Sequence, residues 1–180
     1  MRVMIDACVL YPTVMREVIL GVAATGLFQA RWSDRILEEW ARAARKIGPN
    51  GETIARGEIS LISSRFKDAV VTKHQGLEAR LWLPDRSDIH VLAAAINGSC
   101  DSILTMNAKD FPRNILEEEG LTRCDPDGFL CDLLEDRPDL VTPVADTVLA
   151  EARRLSGADW TMRALMKKAR LPRFGKALTA

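Results

Sequence analysis

The chain has 180 residues, of which 47% are hydrophobic and 28% charged, and its formal net charge is zero. That is a globular balance, enough for one domain with a real core and a small appendage. Zero net charge argues against a surface that binds nucleic acid everywhere, while leaving room for a local basic patch.

The four cysteines, Cys8, Cys100, Cys124 and Cys131, show no CxxC spacing. With only His74 and His90 to help them, zinc is not expected, and free thiols in a reducing cytoplasm are. No apolar run reaches the length of a membrane span, and the N-terminus lacks a basic-then-apolar signal pattern. A cytoplasmic protein without a membrane partner is the expectation.

Arg2 to Ile5 reads as a short buried strand ended by Asp6. Val9 to Pro12 leads into a helix whose apolar face is Val14, Val18, Ile19 and Val22, with Gly26 as its stop. Phe28 to Trp32 is a short strand or an extended link. Ser33 caps the next helix, with Asp34 in its first turn. Ile36, Leu37, Trp40 and Ala44 share one side of it. At about 100° per residue, Glu39 falls on the margin of that face and Glu38 further towards solvent. Gly48-Pro49-Asn50-Gly51 is a break. The spacing after it predicts helices over 52–66 and 67–79, with a short strand at Val70-Val71 as the alternative.

Leu83 to Pro112 carries the densest signal. Ser87 is a good N-cap, which places Asp88 in the first turn of a helix, where negative charge suits the open amides. Val91, Leu92, Ala95 and Ile96 give that helix a buried face on whose edge Asp88 lies, and Asn97-Gly98 stops it. The strand Ser102 to Thr105 follows and exits through Asn107, Lys109, Asp110 and Phe111 to Pro112. Beyond it come a helical turn over 114–119, a last strand over 121–124, and a turn at 125–128 that opens a helix. After a break near Pro138, two more helices are expected, over 144–156 and 160–169. Six basic residues and no acid lie between Arg163 and the end. The order of elements argues an α/β fold: a small central parallel sheet flanked by helices, over residues 1–128, then a helical C-terminal extension over 129–180.

Carboxylates fall at four predicted element ends: Asp6, Glu39, Asp88, and Asp110 beside Asn107. In an open α/β sheet such ends converge on one edge. Acids gathered there repel one another unless cations neutralise them, and hard divalent ions such as Mg²⁺ or Mn²⁺ suit oxygen ligands. Each acid alone has a plainer role as a cap, a turn residue or a solvated charge, so the functional case rests on their joint placement.

These stretches resemble PIN-domain ribonucleases, and in particular VapC-type toxins of bacterial toxin–antitoxin pairs. The carrying pieces are MIDACVLYP, WSDRILEEW, DRSDIHVLAAAI and ILTMNAKDFP, within a likeness that spans residues 1–130. The family's first aspartate matches Asp6. Its helix glutamate matches Glu39 better than Glu38, and its third acid matches Asp88. At the fourth position this chain departs, with Asn107 in place and the nearest carboxylate at Asp110. The resemblance implies a PIN-like nuclease domain and metal-dependent hydrolysis of RNA, tRNA among the substrates, with Mg²⁺ or Mn²⁺ as cofactor. It implies Asp6, Glu39, Asp88 and Asp110 as catalytic residues. Asp6, Asp88 and Asp110 would hold metal, with Asn107 contributing its carbonyl oxygen. Thr105 would hydrogen-bond a ligand or the scissile phosphate. Arg86, Lys109 and Arg113 lie near the acids in sequence and would hold phosphates, and the basic C-terminal run is a second RNA-contact candidate. A cognate antitoxin that sets an arginine against the carboxylates is implied as partner, and a homodimer is a further expectation. Two other classes stand beside this one. Asn107 would suit a catalytically degenerate module that acts through RNA or protein contacts. A strand-end aspartate also opens haloacid-dehalogenase-like phosphatases, but their second acid, two residues on, is here Cys8.

Overall fold

The computed structural model describes every residue from Met1 to Ala180. Its elements are β1 (Arg2–Ile5), α1 (Ala7–Leu10), α2 (Thr13–Ala24), β2 (Gln29–Arg31), α3 (Asp34–Ala43), α4 (Gly51–Arg65), α5 (Leu77–Arg80), α6 (Ile89–Asn97), β3 (Ser102–Leu104), α7 (Arg113–Glu118), β4 (Thr122–Cys124), α8 (Pro126–Asp136), α9 (Pro138–Ser156), α10 (Met162–Lys168) and α11 (Pro172–Ala177). Two compact units divide them. The first joins Met1–Tyr11 to Gln29–Arg123, and the second joins Pro12–Phe28 to Cys124–Ala180.

The first unit is built on a four-stranded parallel sheet in the order β2-β1-β3-β4. Val3, Met4 and Ile5 of β1 and Ile103 and Leu104 of β3 have no exposed surface. Such unbroken apolar runs are what parallel strands need when both faces are covered. The chain steps from β1 to β2 on one side and then to β3 on the other. The winding therefore reverses between β1 and β3, and a crevice opens at their carboxyl ends. Asp6 and Thr105, the residues that follow these two strands, stand at that crevice. The backbone N–H of Asp6 still donates to the carbonyl of Leu104 at 3.1 Å, so the ladder runs right up to the site.

Ser33 caps α3 as expected, its hydroxyl accepting from the N–H of Ile36, and Ile36, Leu37, Trp40 and Ala41 are buried. The expected helix over 67–79 does not form. Val70 instead bridges Trp32 in parallel, and the Trp32 and Val71 amides bond to Ala69 and Trp32 carbonyls. The β-branched pair Val70-Val71 favours that extended path, and only Leu77–Arg80 is helical. Ser87 is not the N-cap before α6. Asp85, two residues earlier, accepts from both the backbone N–H and the hydroxyl of Ser87, at 2.9 and 2.7 Å. This Asx turn winds Arg86–Asp88 into a 3₁₀ turn and moves the start of α6 to Ile89.

The second unit packs α2 with the C-terminal helices. A Cβ on Gly21 would lie 2.5 Å from a Val144 methyl, so a glycine there lets α2 and α9 approach. Asp125 caps α8, and the buried Asp127 accepts from the backbone N–H groups of Arg173 and Phe174, which fixes the start of α11. Helix α9 begins at Pro138, six residues before the expected start at Val144, and carries Pro143 inside it. A proline that close to a helix N-terminus removes only an early backbone bond, so the break falls before Pro138. Helix α11 was not expected from the sequence.

Candidate functional site

Asp6, Asp88 and Asp110 all stand at or near helix starts, where a cap would be their plainest role. None of the three serves as one. The Asp6 and Asp88 side chains make no capping bond at the N-cap positions of α1 and α6, and α7 begins after Pro112. Their carboxylates turn to one another and to polar side chains.

Asp6 is 8% exposed. Its Oδ2 accepts from Thr105 Oγ1 at 2.6 Å and from the Cys8 thiol at 3.1 Å. Burial and the Asp6 charge push the Cys8 thiol up to about 12, so it stays a donor. Thr105 Oγ1 also accepts from the backbone N–H of Asn107 at 3.0 Å. Asn107 Nδ2 in turn donates to Asp110 Oδ2 at 2.5 Å and reaches Asp88 Oδ2 at 3.4 Å. The loop that carries Asn107 and Asp110 is held from β4, where Arg123 donates to the carbonyls of Ala108 and Phe111.

Three carboxylates, those of Asp85, Asp88 and Asp110, have oxygen atoms all within 4.8 Å of one another. Burial first, then the charges of Asp6, Asp85, Asp110 and Glu39, raise Asp88 from an ordinary 3.8 to about 6. Four acids therefore act on Asp88 here. Hydrogen bonds from Ser87 hold Asp85 below the usual range, with some help from Lys109.

Glu38 and Glu39 are equally exposed, their side chains at 36% and 38%, so solvent exposure does not separate them. Their partners do. Glu38 is tied to Arg42 and Arg56 in a surface network that includes Glu52. Glu39 faces α6, with Oε1 at 2.8 Å from His90 Nε2 and 3.6 Å from Arg35 Nε.

The structure thus brings Asp88, Asn107 and Asp110 together and sets Asp6 and Glu39 within electrostatic reach of Asp88. Thr105 is buried against Asp6, not open to a ligand. Lys109 is exposed and its charge reaches Asp85, and Arg86 is exposed on the 3₁₀ turn. Arg113 lines a different depression, with Leu116, Leu121 and Arg123. Asp85, Cys8, His90, Arg35 and Arg123 are the site neighbours that sequence reasoning missed. Asp85 had a signal, since an Asp two residues before Ser is an Asx-turn former.

The donor set is all oxygen, negatively charged and crowded, which fits a hard divalent cation and not a soft one. The Asn107 amide presents its nitrogen to the two carboxylates. A half-turn of the same amide would present its oxygen instead.

No curated protein and no solved structure matches the chain. A family model described as PIN domain matches residues 2–109. The match takes in Asp6, Glu39, Asp88 and Asn107 and ends one residue before Asp110. PIN domains are in general metal-dependent nucleases that act on RNA or DNA. Their fold is the parallel sheet with flanking helices seen in the first unit. More than half of the chain lies within the match, and the chain belongs to the PIN domain family.

Proposed function

We propose that the protein is a metal-dependent endoribonuclease, the VapC-type toxin of a toxin–antitoxin pair. The observation that carries the reading is the cluster at the crevice. Asp6, Asp88 and Asp110 stand at or near helix starts yet make no capping bond, and burial together with the charges of Asp6, Asp85, Asp110 and Glu39 raises Asp88 to about 6.

Asp88, Asp110 and the newly found Asp85 would hold Mg²⁺ or Mn²⁺, with Asn107 turning its carbonyl oxygen inward and Asp6 completing the set. When bound, such an ion neutralises phosphate charge and makes water a better nucleophile at neutral pH. The chain's own groups do the rest. Thr105 Oγ1 and the Cys8 thiol fix the Asp6 carboxylate by donating to its Oδ2. Glu39 Oε1 takes a proton from water, and His90 and Arg35 set its position. Lys109, Arg86 and Arg35 offset the charge of the RNA backbone. Residues 1–128 carry this chemistry, and 129–180 form an extension whose exposed basic residues Arg163, Lys167 and Arg170 offer further RNA contact. An antitoxin arginine would find five acids at the crevice, which is the charge complement such a partner needs.

Purified total RNA and tRNA, incubated with Mg²⁺, Mn²⁺ or EDTA, test this. Discrete fragments that require metal and vanish in Asp88→Ala support a nuclease. A folded, partner-free protein that cuts nothing with either metal would instead favour a degenerate binding module, with Asn107 as the departure responsible.

A further inference from the structure

The loop that carries Asn107 and Asp110 is anchored at both ends, by Thr105 at 2% exposure and Phe111 at 0%. Between those anchors its backbone has little of its own to hold it. The Met106 and Asn107 amides donate to side chains, Cys8 Sγ at 3.3 Å and Thr105 Oγ1 at 3.0 Å. Past Asn107 the one backbone bond is long, from the Asp110 N–H to the Asn107 carbonyl at 3.3 Å. A segment tied so loosely opens locally, and a ligand must bear the cost of ordering it.

Arg123 supplies a further tie. Strand β4 is the neighbour of β3 in the sheet, so its middle residue lies within reach of the loop that leaves β3. The strand is itself fixed there, since the Thr122 amide and hydroxyl both donate to the Asp101 carbonyl at 3.1 Å. One nitrogen of Arg123, Nη1, donates to the carbonyls of Ala108 and Phe111, the latter at 2.9 Å. These carbonyls flank Lys109-Asp110, and a charged donor makes the stronger kind of hydrogen bond to them.

The brace matters because of what else touches Asp110. Its hydrogen-bonding side-chain partner is Asn107, whose Nδ2 donates to Oδ2 at 2.5 Å. In the proposed cation site that amide turns its oxygen inward, which withdraws the donor. Asp85 and Asp88 bring oxygens within 4.8 Å, and both repel a third carboxylate. The backbone is then what keeps Asp110 aimed at the cluster, and Arg123 holds that backbone. The guanidinium works through carbonyls and not as a counter-ion, since its contacts are with the Ala108 and Phe111 oxygens.

We propose that Arg123 is a positioning residue of the cation site. Its two hydrogen bonds fix the backbone on either side of Asp110, so that an ion meets that carboxylate already in place. Arg123, like Asp110, lies beyond the stretch that the family model matches. The cation part of the proposal rests on the reading above.

The test uses the full chain with Arg123→Met, which keeps an aliphatic stem and removes the donors. Without metal, hydrogen exchange at the Asn107 and Asp110 amides should quicken at least ~tenfold, while the amides of β1 and β3 keep their wild-type rates. Mn²⁺ affinity, read by electron paramagnetic resonance, should fall ~10–100-fold. In an Asp110→Asn background the same substitution should change Mn²⁺ affinity less than ~twofold, because its effect passes through Asp110. Where Arg123→Met does not fold, Arg123→Lys replaces it with the same readings, since its ammonium ends short of the carbonyls. Unchanged exchange in the loop would overturn the brace, whether or not Mn²⁺ binds. A looser loop with wild-type Mn²⁺ affinity, or an equal loss in the Asp110→Asn background, would overturn the positioning role. A looser loop in the variant, together with wild-type protein that binds no Mn²⁺, would keep the brace and overturn the cation site.

Discussion

Asp88→Asn replaces a repelled carboxylate with a neutral amide of the same shape. Asp88 is raised from 3.8 to about 6 by burial and by four neighbouring acids. Between those two values the folded state holds a proton that the unfolded state has released. Stability from this group is therefore lost as pH rises from about 4 to 6, and above 6 the folded protein carries the full penalty. A displacement of that size corresponds to about 3 kcal/mol. Asp88 is only partly buried, and solvent screening reduces the figure to about 1 kcal/mol. In EDTA at pH 7.5, Asp88→Asn should therefore be more stable than wild type by about 1 kcal/mol, or 2–4 °C in Tm. The gain should shrink to nothing by pH 4. Removal of the ligand should also abolish stabilisation by Mn²⁺. Thermal and urea unfolding across pH, with and without metal, measure both effects. A variant that is destabilised at pH 7.5, or that matches wild type at every pH, would refute the penalty that burial and the neighbouring acids place on Asp88. Full Mn²⁺ stabilisation retained by the variant would put the ion elsewhere.

Thr105→Val removes the 2.6 Å donor to the buried Asp6. It should cost about 1–3 kcal/mol in urea denaturation and about 10–100-fold in metal affinity or cleavage rate. Glu39→Gln should slow cleavage about 100-fold or more, while Glu38→Gln, which loses only surface ion pairs, should leave the rate within about twofold. Asp127→Ala leaves the backbone N–H groups of Arg173 and Phe174 without their acceptor. Hydrogen exchange should report opening of α11 before the sheet, at a cost of about 1–2 kcal/mol. Induced expression of the wild-type chain in bacteria should arrest growth, and Asp88→Ala should relieve the arrest; growth unaffected by abundant soluble protein would argue against a toxin.

The parallel α/β architecture was legible because β1 and β3 are short unbroken apolar runs and α3 and α6 keep helical spacing. Asp6 and Asp88 were legible for the same reason, as acids at the ends of clearly patterned elements. The 67–79 segment was not, because Val70 takes its extended path from a bridge to Trp32, far away in sequence. Asp85 was overlooked because Ser87 offered a plausible cap, and only the folded turn shows which of the two accepts. Helical phase favours Glu39 over Glu38, yet the two are equally exposed, and their ion-pair partners, which no local pattern encodes, tell them apart. His90 and Arg123 act through side chains and carbonyls brought together by the sheet, so neither had a local signature.

Mn²⁺ binding is the most direct measurement, read by the loss of the free-ion electron paramagnetic resonance signal at pH 7.5. Wild type should bind Mn²⁺ saturably, and Asp88→Asn and Asp85→Asn should each lose most of that binding while remaining folded. Wild-type protein that leaves the free-ion signal unchanged, or variants that bind as wild type does, would contradict a cation site built from these carboxylates.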